Sequence, residues 1–368
     1  MRQLRILLSG LILCLGLGTA HADKLDDNLQ TVWESLWDQR GTPQALMRWE
    51  HQVRYRIFGA DAARHRGHII RALEAAGQAT RLRMVNVSDD PDAEKTATLN
   101  VELANDHELQ DSMPCFTLPL KWTNLTFDKV QVKMRSRDAW ECTFHEIMHA
   151  MGIPGHPSGK TVLSYFPYRR DTLMDLDKLM LAAWYSPAMP RAATPFEALV
   201  VLSEAVALQA DLGLPASEAQ SRAKAFTLAT LKEMESFAAG HGDIPTIVKR
   251  SGRASGTHMN NARREIGFFV GMAYLRGTIA AQDASAAAQW FKRTAERGYL
   301  PAQIMWGTVL ASGTGVEADR LAGHAWLTLA AKTGPPAVIN MLARLESSLS
   351  SEEFEKARSQ PAPSLDPP

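Results

Sequence analysis

The sequence carries little cysteine, no excess of charge of either sign, and no uninterrupted apolar run of about 18 residues, the length that spans a membrane. Forty Lys and Arg residues balance forty Asp and Glu residues, so the formal net charge is zero. A chain without a basic excess has no general electrostatic attraction to nucleic acid or to an anionic membrane. We therefore expect peptides, proteins or small molecules as partners, with no nucleic acid and no integral membrane segment.

The N-terminus has the organisation of a secretory signal peptide. Two arginines in residues 2–5 precede a largely apolar run at 6–18, and residues 20–22 read Ala-His-Ala. A positive start, a short apolar run and a small-x-small ending are typical of such signals. We expect cleavage before Asp23, which removes residues 1–22 and makes the mature chain a periplasmic or secreted bacterial protein.

Removing the signal peptide leaves two cysteines, Cys115 and Cys142. In an oxidising compartment this even pair favours a disulfide, although two buried thiols are the alternative. The bond would close 142 − 115 = 27 positions, which the chain-entropy estimate values at about 3–4 kcal/mol.

Hydrophobic periodicity predicts a mixed sheet in the first half of the chain. Period-two alternation favours strands at 49–59, 81–87, 96–104 and 126–134. Helical spacing at 62–77 predicts a helix behind the sheet, and another is predicted at 172–187. If strand 126–134 is the sheet edge above a cleft, it would bind an extended peptide by strand addition.

The second half is helical and contains an internal repeat. Identical residues lie 36 positions apart at Gly271/Gly307, Gly277/Gly313, Asp283/Asp319, Trp290/Trp326, Ala295/Ala331 and Gly298/Gly334. A fixed period of this length predicts stacked helix pairs. The Gly, Trp, Ala and Gly spacing resembles the SEL-type relatives of tetratricopeptide repeats, which implies a helical surface that binds a protein partner.

These patterns predict an α+β N-terminal domain followed by an all-α repeat domain. The predicted order is a signal peptide (1–22), the α+β domain (23–190), a helical extension (191–240), a linker (241–261), two SEL-type repeats (262–346) and a disordered tail (347–368).

The stretch CTFHEIMHAMGIPGHP at 142–157 contains the candidate metal ligands. His145 and His149 are four residues apart, so they project from one face of a helix, as two ligands of one Zn²⁺ do. Glu146 lies beside them as a candidate acid and base. The opposite face is predicted to be buried and consists of Trp140, Phe144, Ile147, Met148 and Met151. Gly152 is expected to end the helix in a left-handed turn.

His145, Glu146, His149 and Gly152 resemble the HExxHxxGxxH motif of the metzincin zinc endopeptidases, over about residues 49–190. Gly155 occupies the place of the third histidine, and His156 follows it. We predict His156 as the third ligand, because a loop after the helix can absorb one residue. The alternatives are Asp175, Asp177, Cys142, or no third protein ligand.

The metzincin resemblance extends to TVLSYF at 161–166. Leu163 holds the place of the clan's buried methionine, and Tyr165 matches a tyrosine that some branches direct at the metal or the oxyanion. The alternative for Tyr165 is a core aromatic. PCF at 114–116, the 142–152 helix and LMLAAWYSP at 179–187 also resemble a family of secreted bacterial proteins of unknown function.

The resemblance implies a zinc-dependent peptidase. Glu146 would move the proton of the attacking water, and Tyr165 would donate to the oxyanion. The alternative function is a non-catalytic metzincin-like scaffold whose repeats bind an envelope protein.

Overall fold

The structure, a computed structural model, describes residues 24–38, 40–41, 44–164 and 171–365. The predicted signal peptide and Tyr165 lie outside these residues. The chain divides into two compact units, Met1–Gln39 with Gln44–Phe226, and Arg40–Pro43 with Thr227–Pro368. Over the described residues, no helix has both the length and the apolar character that crossing a membrane requires.

The first unit contains a five-stranded sheet with the order β2-β1-β3-β5-β4. Its strands are β1 (Val53–Gly59), β2 (Met84–Asn86), β3 (Leu99–Ala104), β4 (Cys115–Thr123) and β5 (Thr126–Arg135). The pairs β1·β2, β1·β3 and β3·β5 are parallel, and only β4 runs antiparallel to its neighbour. The predicted mixed α+β region is therefore confirmed.

Alternation of apolar residues explains the sheet's buried face. Val53, Tyr55 and Ile57 of β1 are at most 6% exposed, and Val130 and Val132 of β5 are fully buried. Such period-two burial is expected where one face of a sheet is covered by helices.

The helices of the first unit begin with residues 24–35 (α1). The others are α2 (Ala62–Thr80), α3 (Ala93–Thr96), α4 (Ala139–Ala150), α5 (Asp175–Trp184), α6 (Pro195–Ala207) and α7 (Ala216–Ala239), in which the division between units falls. α4 packs against the buried face of the sheet, where Thr143 Oγ1 lies 3.7 Å from the Met134 sulfur. α4 also packs on α2, where the ring of His68 stacks on Trp140 with centroids 4.1 Å apart.

The hypothesis that strand 126–134 is the sheet edge is wrong. Strand 126–134 corresponds to β5, which lies between β3 and β4, and the edge on this side of the sheet is the unpredicted β4. Pro119 argues against an interior strand at β4, because proline lacks the backbone N–H group that pairing requires. An edge strand tolerates such a residue.

The second unit is all-helical. It contains α8 (Thr246–Arg250), α9 (Gly256–Arg276), α10 (Ala284–Glu296), α11 (Leu300–Ser312), α12 (Arg320–Ala331), α13 (Pro336–Ser347) and α14 (Ser351–Arg358). The repeated residues occupy equivalent places. Asp283 and Asp319 cap α10 and α12 by accepting from Ala286 N at 2.8 Å and Ala322 N at 2.9 Å. Gly277 and Gly313 end α9 and α11 with φ of 64° and 74°.

Two segments predicted to be irregular contain helices. The predicted linker 241–261 contains α8 and the start of α9, where Val248 is fully buried and the buried Arg253 pairs with Glu265 at 2.8 Å. The predicted disordered tail contains α14, which begins with a capping box between Ser350 and Glu353. The Pro and Gly residues near 241–261 and the prolines after 360 bound these helices rather than prevent them.

Candidate metal centre

Helix α4 presents the two helical histidines and buries its opposite face. Phe144, Ile147 and Met148 are at most 2% exposed. Trp140 differs from the prediction, because it is 51% exposed and contributes through its stack on His68. Gly152 ends this region with φ of 102°, as predicted, and a Cβ at this position would lie 2.1 Å from the Met47 carbonyl oxygen.

The C-terminal end of α4 is held by two aromatic residues from distant parts of the chain, and a third aromatic residue lies beside it. Trp49 Nε1 donates to Ala150 O at 2.8 Å, and the Tyr185 hydroxyl donates to Met151 O at 2.9 Å. Trp184 Nε1 donates to Met47 O at 3.3 Å beside the Gly152 turn. Trp49 and Tyr185 thus satisfy carbonyls that a helix end leaves without intrahelical partners. The orientation of α4, and of its histidines, is thereby fixed.

The structure brings His145, His149 and His156 together. Their Nε2 atoms form a triangle with edges of 3.0 Å (145 to 156), 3.2 Å (145 to 149) and 3.2 Å (149 to 156). A tetrahedral zinc site with Zn–N distances of about 2.0–2.1 Å separates its ligand nitrogens by about 3.3–3.4 Å. The triangle is within a few tenths of an ångström of that spacing, so these residues fit a zinc ion.

Backbone carbonyls define the protonation of two of these rings. His145 Nδ1 lies 2.9 Å from Val162 O, and His149 Nδ1 lies 2.7 Å from Ile153 O. A carbonyl can only accept, so each Nδ1 carries the proton and each Nε2 presents a lone pair. A second hydrogen bond of this kind is the usual means by which a protein orients a metal-binding histidine.

The two Nε2 lone pairs face each other at 3.2 Å, which is unfavourable unless a proton or a cation lies between them. The surroundings of the His145 and His149 rings do not favour protonation. Burial lowers the pKa of His145, and burial together with the neighbouring histidines lowers the pKa of His149 well below its ordinary value. The three histidines therefore have the geometry to hold a divalent cation.

The three alternative ligands lie elsewhere. Cys142 forms a disulfide with Cys115, as the first of the two readings of this pair predicts. The Asp175 side chain is 88% exposed and pairs with Lys178. Asp177 is fully buried, where it accepts hydrogen bonds from Thr161 Oγ1, Val162 N and Met174 N. That carboxylate therefore holds the 161–162 segment whose Val162 carbonyl orients His145.

Glu146 is buried beside the histidines and has one strong polar partner. Thr117 Oγ1 of β4 donates to Glu146 Oε2 at 2.7 Å and lies 3.0 Å from the Glu146 carbonyl oxygen. Burial raises the pKa of the Glu146 carboxyl to about 7, against the lowering effect of the Thr117 hydrogen bond. Thr117 was not among the predicted site residues. Its position two residues after Cys115, in a strand clamped to α4 by the disulfide, is the signal that could have found it.

The loop that carries His156 passes very close to α1. Gly155 N donates to Ser35 O at 2.9 Å, and a Cβ on Gly155 would lie 2.4 Å from the Glu34 carbonyl oxygen. This contact explains the departure from the HExxHxxGxxH motif, because a side chain at 155 does not fit. The histidine stands one residue later, and its Nε2 still reaches the other two.

The segment after the site is described only in part. Leu163, in the place of the metzincin methionine, is fully buried. Tyr165, the second predicted catalytic residue, belongs to the undescribed segment 165–170.

Comparisons with known proteins identify the repeats. Residues 268–299 and 300–334 each match the Sel1 repeat family model, which confirms the predicted SEL-type repeats and indicates a protein-binding helical surface. No curated protein matches the chain. Both matched segments lie outside residues 23–190, so the metzincin resemblance of that region stays a prediction.

Two solved structures are similar to the chain. A protective antigen of uropathogenic Escherichia coli with an SLR fold is 16% identical, over 51% of this chain and 40% of its own, with a TM-score of 0.26. A Sel1 repeat protein from Oxalobacter formigenes is 17% identical, over 45% of this chain and 75% of its own, with a TM-score of 0.24. The alignment thus spans less than half the length of the first structure.

Proposed function

We propose that this chain is a zinc-dependent peptidase with a metzincin-like N-terminal domain, whose helical repeats bind a protein. The observation that carries the proposal is the triangle of Nε2 atoms from His145, His149 and His156 at 3.0–3.2 Å. Backbone carbonyls aim two of the three rings as metal ligands, and a glutamate follows the first of them directly. A purely structural histidine cluster has no need of that glutamate.

A zinc ion bound by three histidines supplies a Lewis acid that lowers the pKa of water and polarises a carbonyl. The protein's own residues move the proton. Thr117 holds Oε2 of Glu146, so Oε1 is the atom proposed to accept the proton of the attacking water. Glu146 then returns that proton to the leaving amine.

Tyr165 is the proposed donor to the oxyanion that forms when the peptide carbonyl is attacked. One such donor is worth about 10²–10³ in kcat where it has been measured. Tyr165→Phe should therefore lower kcat by about that factor while zinc content stays unchanged. A kcat equal to that of the parent would assign Tyr165 to the core instead.

The proposed substrate is a peptide or protein segment bound in extended form. The edge strand β4 reaches Glu146 through Thr117, so a segment paired with the outer edge of β4 lies next to the catalytic glutamate. Main-chain pairing of this kind binds extended peptides with little demand on sequence. Strand addition is therefore proposed at β4 rather than at β5.

The proposed location is the periplasm or the exterior of the cell. The signal-like residues 1–22 support it, and so does the Cys115–Cys142 disulfide, because such bonds persist in oxidising compartments.

The decisive experiment measures zinc per mole in the chain from Asp23 onward. The parent should hold about one zinc, and His145→Ala and His156→Ala should lose most of it. Asp175→Ala is the matched control, because it removes an exposed candidate ligand away from the triangle. Glu146→Ala should keep zinc and lose hydrolysis of a peptide library. A parent that binds no zinc after reconstitution would overturn the proposal.

The second candidate is a scaffold that binds an envelope protein through its repeats, which the two Sel1 matches favour. The variant Glu146→Ala separates the two functions. It abolishes hydrolysis and leaves partner binding intact if the chain is an enzyme, and it changes neither measurement if the chain is a scaffold.

A further inference from the structure

The third histidine of the proposed zinc site stands on a loop, and the end of α1 holds that loop on both sides of it. Before His156, Gly155 N donates to Ser35 O at 2.9 Å. After it, Glu34 Oε2 accepts from Ser158 N at 2.7 Å and from Ser158 Oγ at 2.8 Å. His156 is therefore bracketed by hydrogen bonds one residue before it and two residues after it.

Glu34 is suited to hold the loop rigidly. It is only 3% exposed, and a carboxylate in such a place is costly unless donors satisfy it. Gln30 Nε2 donates to its other oxygen, Oε1, at 3.1 Å, which leaves Oε2 directed at Ser158. Hydrogen bonds to an ionised acceptor are stronger than those between neutral groups.

The loop itself has little freedom to move away from α1. Pro154 and Pro157 flank Gly155 and His156, and the ring of each proline fixes its own φ. Gly159 approaches α1 so closely that a Cβ there would lie 1.8 Å from Thr31 Oγ1. The path of the backbone from 154 to 159 is thus set by its contacts with α1.

The three ligands differ in what positions them. His145 and His149 belong to α4, and their rings are also fixed by the carbonyls of Val162 and Ile153. His156 belongs to no helix or strand, so its place in the triangle depends on the bonds between its loop and α1.

We infer that Glu34 is a positioning residue for His156 and sets the affinity of the site for zinc. This inference rests on the proposed function, since it assumes that the triangle binds the metal. Glu34 acts through Ser158 and the loop backbone. Removing its carboxylate leaves all three imidazoles in the chain but frees the loop that carries His156.

The test is the dissociation constant for zinc, measured by competition with a chromophoric chelator, in the chain from Asp23 onward. Loss of a partner that orients a ligand weakens metal binding by about 10–100-fold, and we expect Glu34→Ala to fall in this range. Ser35→Ala is the matched control. It removes a neighbouring buried hydroxyl that bonds within α1 to Val32 O, and it retains the carbonyl that holds Gly155. Its affinity should stay within about twofold of the parent.

Two further variants separate positioning from a general loss of structure. Glu34→Gln retains an acceptor oxygen for Ser158, so it should recover most of the affinity that Glu34→Ala loses. Ser158→Ala removes one of the two bonds at an exposed residue, so folding is spared. It should weaken binding by less than Glu34→Ala, and the double variant should be no weaker than Glu34→Ala alone.

The outcomes are distinct. If the parent binds zinc, His156→Ala loses it and Glu34→Ala binds as tightly as Ser35→Ala, the positioning role is overturned and the proposed function stands. If zinc binding by the parent does not depend on His156, the proposed site itself is overturned.

Discussion

Thr117 on the edge strand β4 donates a 2.7 Å hydrogen bond to Oε2 of Glu146 on helix α4. The two residues are 29 positions apart in the chain, and the disulfide between Cys115 and Cys142 joins the same two elements. A covalent bond and a hydrogen bond thus hold the strand against the helix that carries two of the three histidines. The edge of the sheet and the candidate metal centre therefore form one rigid arrangement.

The first prediction concerns that hydrogen bond. Thr117→Val keeps the shape of the side chain and leaves the buried Glu146 without its donor. Leaving a buried acceptor unsatisfied costs about 1–3 kcal/mol, so the free energy of unfolding should fall by that amount. Thr117→Ser retains the hydroxyl and is the control. Urea unfolding of the three proteins at pH 7 measures the effect, and equal stability of the Val and Ser variants would contradict it.

The second prediction compares two glycines in the same unit. Gly155→Ala places a Cβ 2.4 Å from the backbone oxygen of Glu34, which cannot move without shifting α1. We expect destabilisation of about 1–3 kcal/mol from such overpacking, together with weaker zinc binding. Gly67→Ala introduces the same methyl group in helix α2 with nothing within 4 Å. That control should be stabilised by about 0.5–1 kcal/mol, because alanine favours a helix interior over glycine.

The third prediction concerns the disulfide. Replacing both Cys115 and Cys142 by alanine should lower the free energy of unfolding by about 3–4 kcal/mol, mainly through a less constrained unfolded chain. A reducing agent should destabilise the parent similarly and leave the double variant unchanged. An effect of reductant on the double variant would show that it acts elsewhere.

The fourth prediction is a pH dependence that arises from Asp177. Burial raises the pKa of this carboxyl from 3.8 to about 6, against the lowering effects of its hydrogen bonds and of Lys178. A raised folded pKa means that the folded state binds the proton more tightly than the unfolded state. The resulting stability is fully present below pH 3.8 and is lost as the pH rises through about 6.

Asp177→Asn removes that titration and provides the comparison. Relative to this variant, the parent should gain about 2–3 kcal/mol of stability between pH 7 and pH 4. Urea unfolding of both proteins at the two pH values measures the difference in their free energies of unfolding. The contribution of the histidines cancels, because both proteins contain them. A constant difference between the two proteins would contradict the prediction.

Much of the fold follows from local pattern. β1, β3 and β5 alternate along their length, and α4 has one apolar face, so each element could be predicted from its own residues. β4 could not be placed in this way, because its Leu118, Leu120 and Trp122 are about half exposed and Pro119 interrupts it. Its edge position depends on pairing with β5 alone, which no local pattern specifies.

The candidate site divides in the same manner. His145, Glu146 and His149 follow from helical spacing, and a third histidine on a flexible segment could be predicted without its exact path. The roles of Glu34 and Thr117 depend on contacts across 124 and 29 positions of sequence. The apolar spacing of a helix face is present at Leu25, Leu29, Val32 and Leu36, so α1 itself could have been predicted from the sequence. Its position beside the loop that carries His156 could not.

The bond between Cys115 and Cys142 also determines what a single backbone cut does to the chain. If a protease cleaved anywhere from residue 116 to residue 141, the two fragments would remain covalently joined through these sulfurs. A nicked molecule would migrate at full length in an unreduced denaturing gel and separate into two bands only after reductant was added. The N-terminal fragment would carry Glu34, and the C-terminal fragment would carry the three histidines of the proposed centre. A nicked chain therefore keeps every part of that centre in one covalent assembly.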